Sequence, residues 1–141
     1  MASLLEQARA RAAARRERQV TITIPELDIE LLCDVPTDSF AIERMQKAAA
    51  KIDKGRGTAT HFARALVAAQ TREIRIGGEV VEVNGEPVAF NDPELWPELG
   101  VADAKGAVVE LIGTDADALT IATELMTEAG FVDRDGDEDP T

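Results

Sequence analysis

Few residues in this sequence belong to the types that carry out nucleophilic or acid–base chemistry. There is one cysteine, Cys33, one histidine, His61, and two serines, Ser3 and Ser39. Both serines stand where a helix would begin, so the sequence offers no members for a Ser-His-Asp triad. Cys33 and His61 are formally able to pair, but a thiol that follows two leucines is typical of a buried structural cysteine. We therefore predict that the protein is not an enzyme.

The acidic and glycine-rich segments do not form a metal or cofactor motif. Residues 133–139 (DRDGDED) alternate aspartates, but Gly136 stands at position four of that run, whereas a calcium-binding EF-hand loop needs glycine at position six. Gly77-Gly78 and Gly85 lie between strand-like segments and lack the Gly-Lys-Ser/Thr ending of a phosphate-binding loop. We interpret them as tight turns and predict no metal site and no cofactor.

The charge of the chain is negative and unevenly distributed. Its 15 Lys and Arg against 27 Asp and Glu give a formal net charge of −12. Residues 1–18 carry five arginines and two glutamates, a local +3, so the other residues together carry −15. An acidic body repels phosphate backbones and anionic lipid, which disfavours binding to nucleic acid or to a membrane. A single cysteine and the lack of a long apolar run predict a protein of a reducing cytoplasm.

The N-terminal residues predict a helical arm. Residues 3–18 are strong helix formers, with Ser3 as N-cap and Glu6 completing a Ser-x-x-Glu capping box. Beyond Leu4 and Leu5 the apolar residues of this segment are alanines, so little apolar area is available to dock it. We expect a loosely held arm whose arginines either are simply solvated or meet a partner.

The next segments predict a β-hairpin followed by two helices. Residues 20–24 and 28–33 alternate apolar and polar side chains, and Val35-Pro36 ends the second strand. Thr37 or Asp38 then caps a helix that ends near Gly55, and Thr58 caps another. The apolar positions of the first helix are Phe40, Ala41, Met45, Ala48, Ala49 and Ile52, and those of the second are Phe62, Ala65, Leu66 and Ala69. We expect Phe40, Met45, Ile52, Phe62 and Leu66 to share one core.

The second half of the chain predicts a small antiparallel meander and further helices. Residues 72–90 form three strand-like runs separated by Gly-Gly and Asn-Gly, the residues of tight hairpin turns. Helix starts follow at Asp92, Asp103 and Thr114, and helix stops at Gly113 and Gly130. The sequence therefore predicts an α+β, mostly helical small domain with a β-hairpin and a second small antiparallel meander. We divide it into an Arg-rich helical arm (1–18), a single domain (19–131) and a disordered acidic tail (132–141).

Two stretches resemble the tail assembly chaperones of long-tailed bacteriophages. One is VTITIPELDIELLCDVPTDSFAIERMQKAA, residues 20–49, in which a short strand leads into a Thr/Asp-capped helix. The other is FNDPELWPELGVADAKGAVVELIGTDADALTIATELMTEAGF, residues 90–131, which is similar to the ending of family members. The resemblance covers residues 19–131; residues 1–18 and Pro97 depart from the family pattern.

The resemblance implies a nonstructural factor of the host bacterial cytoplasm that is absent from the mature virion. Such proteins bind the tape-measure protein, keep it soluble and promote polymerisation of the major tail (tube) protein around it. They are also made in a longer form by ribosomal frameshifting, so the expected partners include that form or further copies of the chain. The competing hypothesis is a small regulatory or nucleic-acid-associated phage protein that uses its basic N-terminal helix.

The candidate partner-binding residues lie on the last helix and on the N-terminal arm. Leu119, Leu125 and Met126 provide an apolar face, to which Val108, Leu111 and Ile112 are possible additions. The alternative, that these six side chains are simply core, is left open by the sequence. On the arm, the candidate residues are Arg9, Arg15 and Arg16.

Overall fold

The computed structural model describes residues 3–53 and 59–131 of the chain. Three predicted features lie outside these residues: the helix end at Lys54 and Gly55, the break at Arg56-Gly57 with its Thr58 cap, and the acidic tail 132–141.

Helices predominate in the described part of the chain. They are α1 (Leu4–Arg16), α2 (Ser39–Asp53), α3 (Thr60–Gln70), α4 (Trp96–Leu99), α5 (Ala104–Ile112) and α6 (Asp115–Glu128). The N-caps predicted at Ser3, Asp103 and Thr114 are confirmed, because each side chain accepts a hydrogen bond from a backbone N–H three residues later. At the end of α6, the N–H of Phe131 donates to the carbonyl of Met126 at 2.9 Å, which is the predicted Schellman stop around Gly130.

The predicted hairpin and part of the predicted meander join in one sheet. Strands β1 (Gln19–Ile24) and β2 (Ile29–Asp34) pair antiparallel, as predicted. Strand β3 (Thr71–Ile76) pairs with the other edge of β2, and β4 (Glu79–Val80) pairs with β3, which gives the order β1-β2-β3-β4. The short strands β5 (Glu82–Val83) and β6 (Glu86–Pro87) form a separate antiparallel pair. The chain is thus an α+β domain with two small antiparallel sheets.

The predicted tight turns have the required backbone geometry. Gly77 and Gly78 have φ of 59° and 82°, and Asn84 and Gly85 have φ of 55° and 82°. Positive φ at both central residues matches the hairpin turns in which Gly and Asn are preferred. These turns lead from β3 to β4 and from β5 to β6.

The core lies between one face of the four-stranded sheet and the helices. Helix α3 packs against α2, α5 and α6, so its buried side chains, Ala63, Leu66, Val67 and Ala68, lie on more than one side of the helix. The sheet contributes Ile22, Ile24, Ile29, Leu31, Cys33 and Ile74 to the core. Phe90, in the loop before α4, is the largest fully buried side chain. Its carbonyl accepts a hydrogen bond from Trp96 Nε1 at 2.7 Å.

Helix α2 uses a different face from the one expected. Asp38 caps it by accepting hydrogen bonds from the N–H groups of Phe40 and Ala41, as the sequence suggested. The prediction that Phe40 and Ile52 lie in the core is wrong: they are 71% and 48% exposed, whereas Ile42 is buried. The reason is rotation of the helix, which turns the side of Ile42, Met45 and Ala49 toward the core.

The helix start predicted at Asp92 differs from expectation. Asp92 is not an N-cap: its carboxylate accepts a hydrogen bond from the preceding Ala89 N–H at 2.7 Å, so it closes a turn. Helix α4 begins four residues later, and Pro97 lies in its first turn, where the missing N–H is tolerated. Helix α3 has Ala59 at its N-cap position, without a side-chain hydrogen bond.

Candidate partner-binding surfaces

The single thiol is buried within the domain. Cys33 has no exposed surface, and its Sγ lies 3.6 Å from the hydroxyl oxygen of Thr71. Burial raises the pKa of Cys33 to about 11, although the Thr71 contact opposes this effect. A thiol with such a pKa stays protonated at neutral pH, and only the thiolate is a strong nucleophile. Cys33 therefore acts as a small core residue, as the sequence suggested.

The other sequence candidates for chemistry are not drawn together into a cluster. His61 lies half-buried in the first turn of α3. Within residues 3–53 and 59–131, no group of three or more His, Cys, Asp or Glu side chains is arranged to hold a metal ion. No helix in the same residues is long and apolar enough to span a bilayer.

Helix α1 stands largely free of the rest of the domain. It has no buried residue, and Leu4 and Leu5 at its start are 83% and 77% exposed. The three candidate arginines of the arm, Arg9, Arg15 and Arg16, are all exposed. Helical geometry places Leu4, Leu5, Ala8 and Ala12 within one arc of α1; Arg15 lies inside this arc, Arg11 at one edge of it, and Arg9 and Arg16 beyond the other edge. This side of α1 therefore mixes leucine and alanine side chains with exposed arginines.

An ion pair fixes the base of α1 to the domain. Arg18, just after the helix, pairs with the carboxylate of Glu128 at the end of α6, and its guanidinium also donates to the Glu128 carbonyl at 3.1 Å. A cleft of about 230 Å³ lies at this junction, and its lining includes Arg15, Pro36 and Phe131. The start of α1, by contrast, carries only exposed side chains.

The candidate apolar residues of the last two helices divide between core and surface. Leu125, Val108 and Ile112 are fully or almost fully buried, so the fold does not offer them to a partner. Leu111 and Met126 are partly buried against the core, and Leu119 is 42% exposed. The inward face of α6 consists of Ala118, Ile121, Ala122 and Leu125 because α3 packs on that side. Of the predicted partner-binding residues on α6, Leu119 and part of Met126 are accessible to a partner.

Sequence reasoning missed an exposed apolar stripe on α2. Phe40, Ala48 and Ile52 are all exposed in one i, i+4 row of α2, in which the exposed Arg44 lies between Phe40 and Ala48. We call these three residues the α2 stripe. The sequence did show them as apolar, but it placed them in the core because the same periodicity fits two adjoining faces. Ile42 distinguishes the two faces of α2, because it belongs to the buried face but was not among the predicted apolar positions.

No protein-family model, curated protein or solved structure matches this chain. The exposed surfaces described above and the sequence resemblance are therefore the basis for assigning a function.

Proposed function

We propose that this protein is a phage tail assembly chaperone that binds the tape-measure protein, keeps it soluble and promotes polymerisation of the tail tube around it. The observation that carries the proposal is the α2 stripe, in which Phe40 is 71% exposed on an otherwise charged surface. A large exposed aromatic on a small domain that already has a well-filled core is typical of a contact surface. The tape-measure protein is the client that the resemblance implies.

A helical client fits the shape of this surface. The α2 stripe runs along one flank of a helix, so an amphipathic client helix can pack beside it and bury apolar side chains of both partners. Full burial of one phenylalanine contributes roughly 1.5–3 kcal/mol. One such contact is weak, and a long client therefore has to be covered by many copies, each shielding a short part. Leu119 on α6 offers a second exposed apolar contact.

The charge of the chain suits the task of keeping a client in solution. Each bound copy adds a formal charge of −12. A client covered by such copies carries a large charge of one sign, which opposes aggregation between complexes. Arg44 and Lys51, both exposed on α2 near the stripe, provide local positive charge for acidic residues of the client. In this proposal the chaperone acts in the host cytoplasm and leaves before the virion is complete.

Coexpression with the tape-measure protein tests the proposal. We expect an otherwise insoluble tape-measure chain to become a soluble complex with many copies of this protein, sized by light scattering. Phe40→Ser should lose this rescue while keeping the thermal midpoint of the parent, because the side chain is outside the core. Val109→Ser on α5 is the matched control, since Val109 is also exposed, at 39%, but lies outside the stripe. Failure to rescue the tape measure, or equal rescue of an unrelated helical protein, would overturn the chaperone role.

The exposed arginines of α1 favour one alternative, a phage regulatory protein that binds nucleic acid through this helix. Arg9, Arg11, Arg15 and Arg16 are free of the core and exposed on α1. The −15 on the rest of the chain opposes this function. Binding to a DNA or RNA oligomer at low salt is the test. We expect nucleic-acid binding of this kind to weaken steeply with added salt and to be lost in Arg9→Gln/Arg16→Gln.

A further inference from the structure

A second surface of the domain is complementary to α1. At the far end of the sheet, the turn between β1 and β2 carries Glu26, Leu27 and Asp28, and the turn between β3 and β4 is flanked by Ile76 and Glu79. The N–H of Gly77 donates to the carbonyl of Asp28 at 2.9 Å, which holds the two turns side by side. We call the five residues Glu26, Leu27, Asp28, Ile76 and Glu79 the acidic pole.

The composition of the acidic pole is complementary to that of α1. Leu27 and Ile76 are 39% and 41% exposed, and the three acids around them are exposed as well. No basic residue occurs in either turn. The pole therefore combines two partly exposed apolar side chains with three acids, whereas α1 combines exposed apolar side chains with arginines. The two surfaces match in both apolar character and charge.

In this structure α1 is not packed on the acidic pole of its own chain, because none of its residues is buried. Helix α1 leads into the Gln19 end of β1, and the pole follows the Ile24 end of the same strand. The strand has six residues and therefore separates the two surfaces by about 20 Å. The Arg18–Glu128 ion pair holds the base of α1 at the first of these ends. Both surfaces are exposed and are thus available to a second molecule.

We propose that α1 of one copy binds the acidic pole of a second copy. In this proposal a single α1–pole contact joins each pair of copies, because α1 and the pole lie at opposite ends of β1, and the contact is therefore heterologous. A helix of 13 residues is marginal in water when no tertiary packing supports it, so docking also stabilises α1 itself. After one contact has formed, one copy of the pair still has a free α1 and the other still has a free pole. Further copies therefore add head to tail into open chains. This inference does not depend on the tape measure as client.

The first experiment follows the mass of the full chain with concentration and salt. Sedimentation velocity should show an average mass that rises with protein concentration at about 50 mM salt and returns to that of one chain at about 500 mM salt, because charge attraction is screened. A parent protein that stays monomeric at millimolar concentration and low salt overturns the proposal. If that monomer also binds a DNA oligomer through Arg9 and Arg16, α1 serves nucleic acid instead.

The second experiment separates a heterologous contact from a symmetric one. The helix variant is Arg9→Gln/Arg16→Gln, and the pole variant is Glu26→Gln/Glu79→Gln; all four side chains are exposed, so both variants should fold. Each variant alone should associate at least tenfold more weakly than the parent. Mixed together, they should form a one-to-one complex that does not grow, because the helix variant supplies the intact pole and the pole variant supplies the intact α1.

The matched control is Glu98→Gln/Glu110→Gln, which removes the same charge from exposed positions on α4 and α5. This control should associate like the parent. Loss of association in the control to the same extent as in the pole variant would show a general charge effect and overturn the assignment of the pole. A mixture that stays monomeric although the parent associates, or a parent that stops at a dimer, would also overturn it.

Discussion

Cys33 shows how burial alone decides the chemistry of a residue that could otherwise react. Its pKa is raised from 9.0 to about 11, chiefly by burial. In the unfolded chain the thiol ionises near 9.0, whereas the folded state keeps the proton until about pH 11. The contribution of the neutral thiol to stability is therefore present in full below pH 9 and is lost as the pH rises to 11. We expect this loss to reach about 2–3 kcal/mol in the free energy of unfolding.

Urea unfolding at pH 8, 9.5 and 11 measures this effect. The comparison is with Cys33→Ala, which lacks the thiol but keeps every other titratable group. The variant should be less stable at pH 8, since it removes a buried sulfur, but its stability should fall less between pH 8 and 11. Parallel curves for the two proteins would show that the thiol is accessible to solvent in the folded state.

At the scale of single elements, the helix caps offer a second quantitative test. Asp103 accepts a hydrogen bond from the N–H of Gly106 at 2.7 Å and begins α5, whose residues Ala107, Val108 and Ile112 are buried. Removing this acceptor leaves an N–H of the first turn without its partner. We expect Asp103→Ala to lower the free energy of unfolding by about 1 kcal/mol, and Asp103→Asn to retain most of it. Equal losses in both variants would mean that the negative charge, and not the cap geometry, is what matters.

The orientation of α2 is tested by a pair of substitutions on the same helix. Ile42 is buried and Phe40 is 71% exposed, although the two residues are only two positions apart. We expect Ile42→Ala to cost about 2–4 kcal/mol and Phe40→Ala less than about 0.5 kcal/mol in urea unfolding. A larger loss of stability in Phe40→Ala than in Ile42→Ala would show that the face of α2 predicted from the sequence is the buried one.

These elements also show what sequence reasoning can and cannot reach. The caps at Ser3, Asp103 and Thr114 were predictable because cap and first turn are local in sequence. The pairing of β3 with β2 was not, because it joins residues about 40 positions apart and depends on which strand edges the helices leave free. Phe40 was wrongly placed in the core, and for Leu125 the sequence left open whether it faces a partner or the core, where it is buried; the two cases have a related reason. Helical periodicity limits the apolar face to an arc, but the neighbouring helix decides which edge of that arc is covered.

At the scale of the whole molecule, the separation of charge is the property that links the proposals. The positive charge of residues 1–18 sits on a helix outside the core, and the compensating excess of acids is spread over the domain and the segment after it. A uniform −12 would make copies repel one another at every approach, whereas the separated charges allow one favourable orientation. Copies aligned in this way can direct their α2 stripes toward one long client. Their weak contacts then add up along the length of the client.

Deletion of residues 2–16 tests whether α1 serves the fold or only other molecules. Residues 3–16, the described part of the deleted segment, contain no buried side chain, and Arg18 with its ion pair to Glu128 is kept. At about 500 mM salt we expect the thermal midpoint to stay within a degree or two of the parent, because no core contact is removed. At low salt the midpoint should fall slightly further, since the deletion removes a net +3 and leaves the remaining chain at −15, which increases its self-repulsion. The same truncated protein should remain monomeric in sedimentation velocity under the conditions in which the parent associates. A drop of ten degrees at high salt would show that α1 docks on its own domain, and this would remove the free helix from which the head-to-tail contact is built.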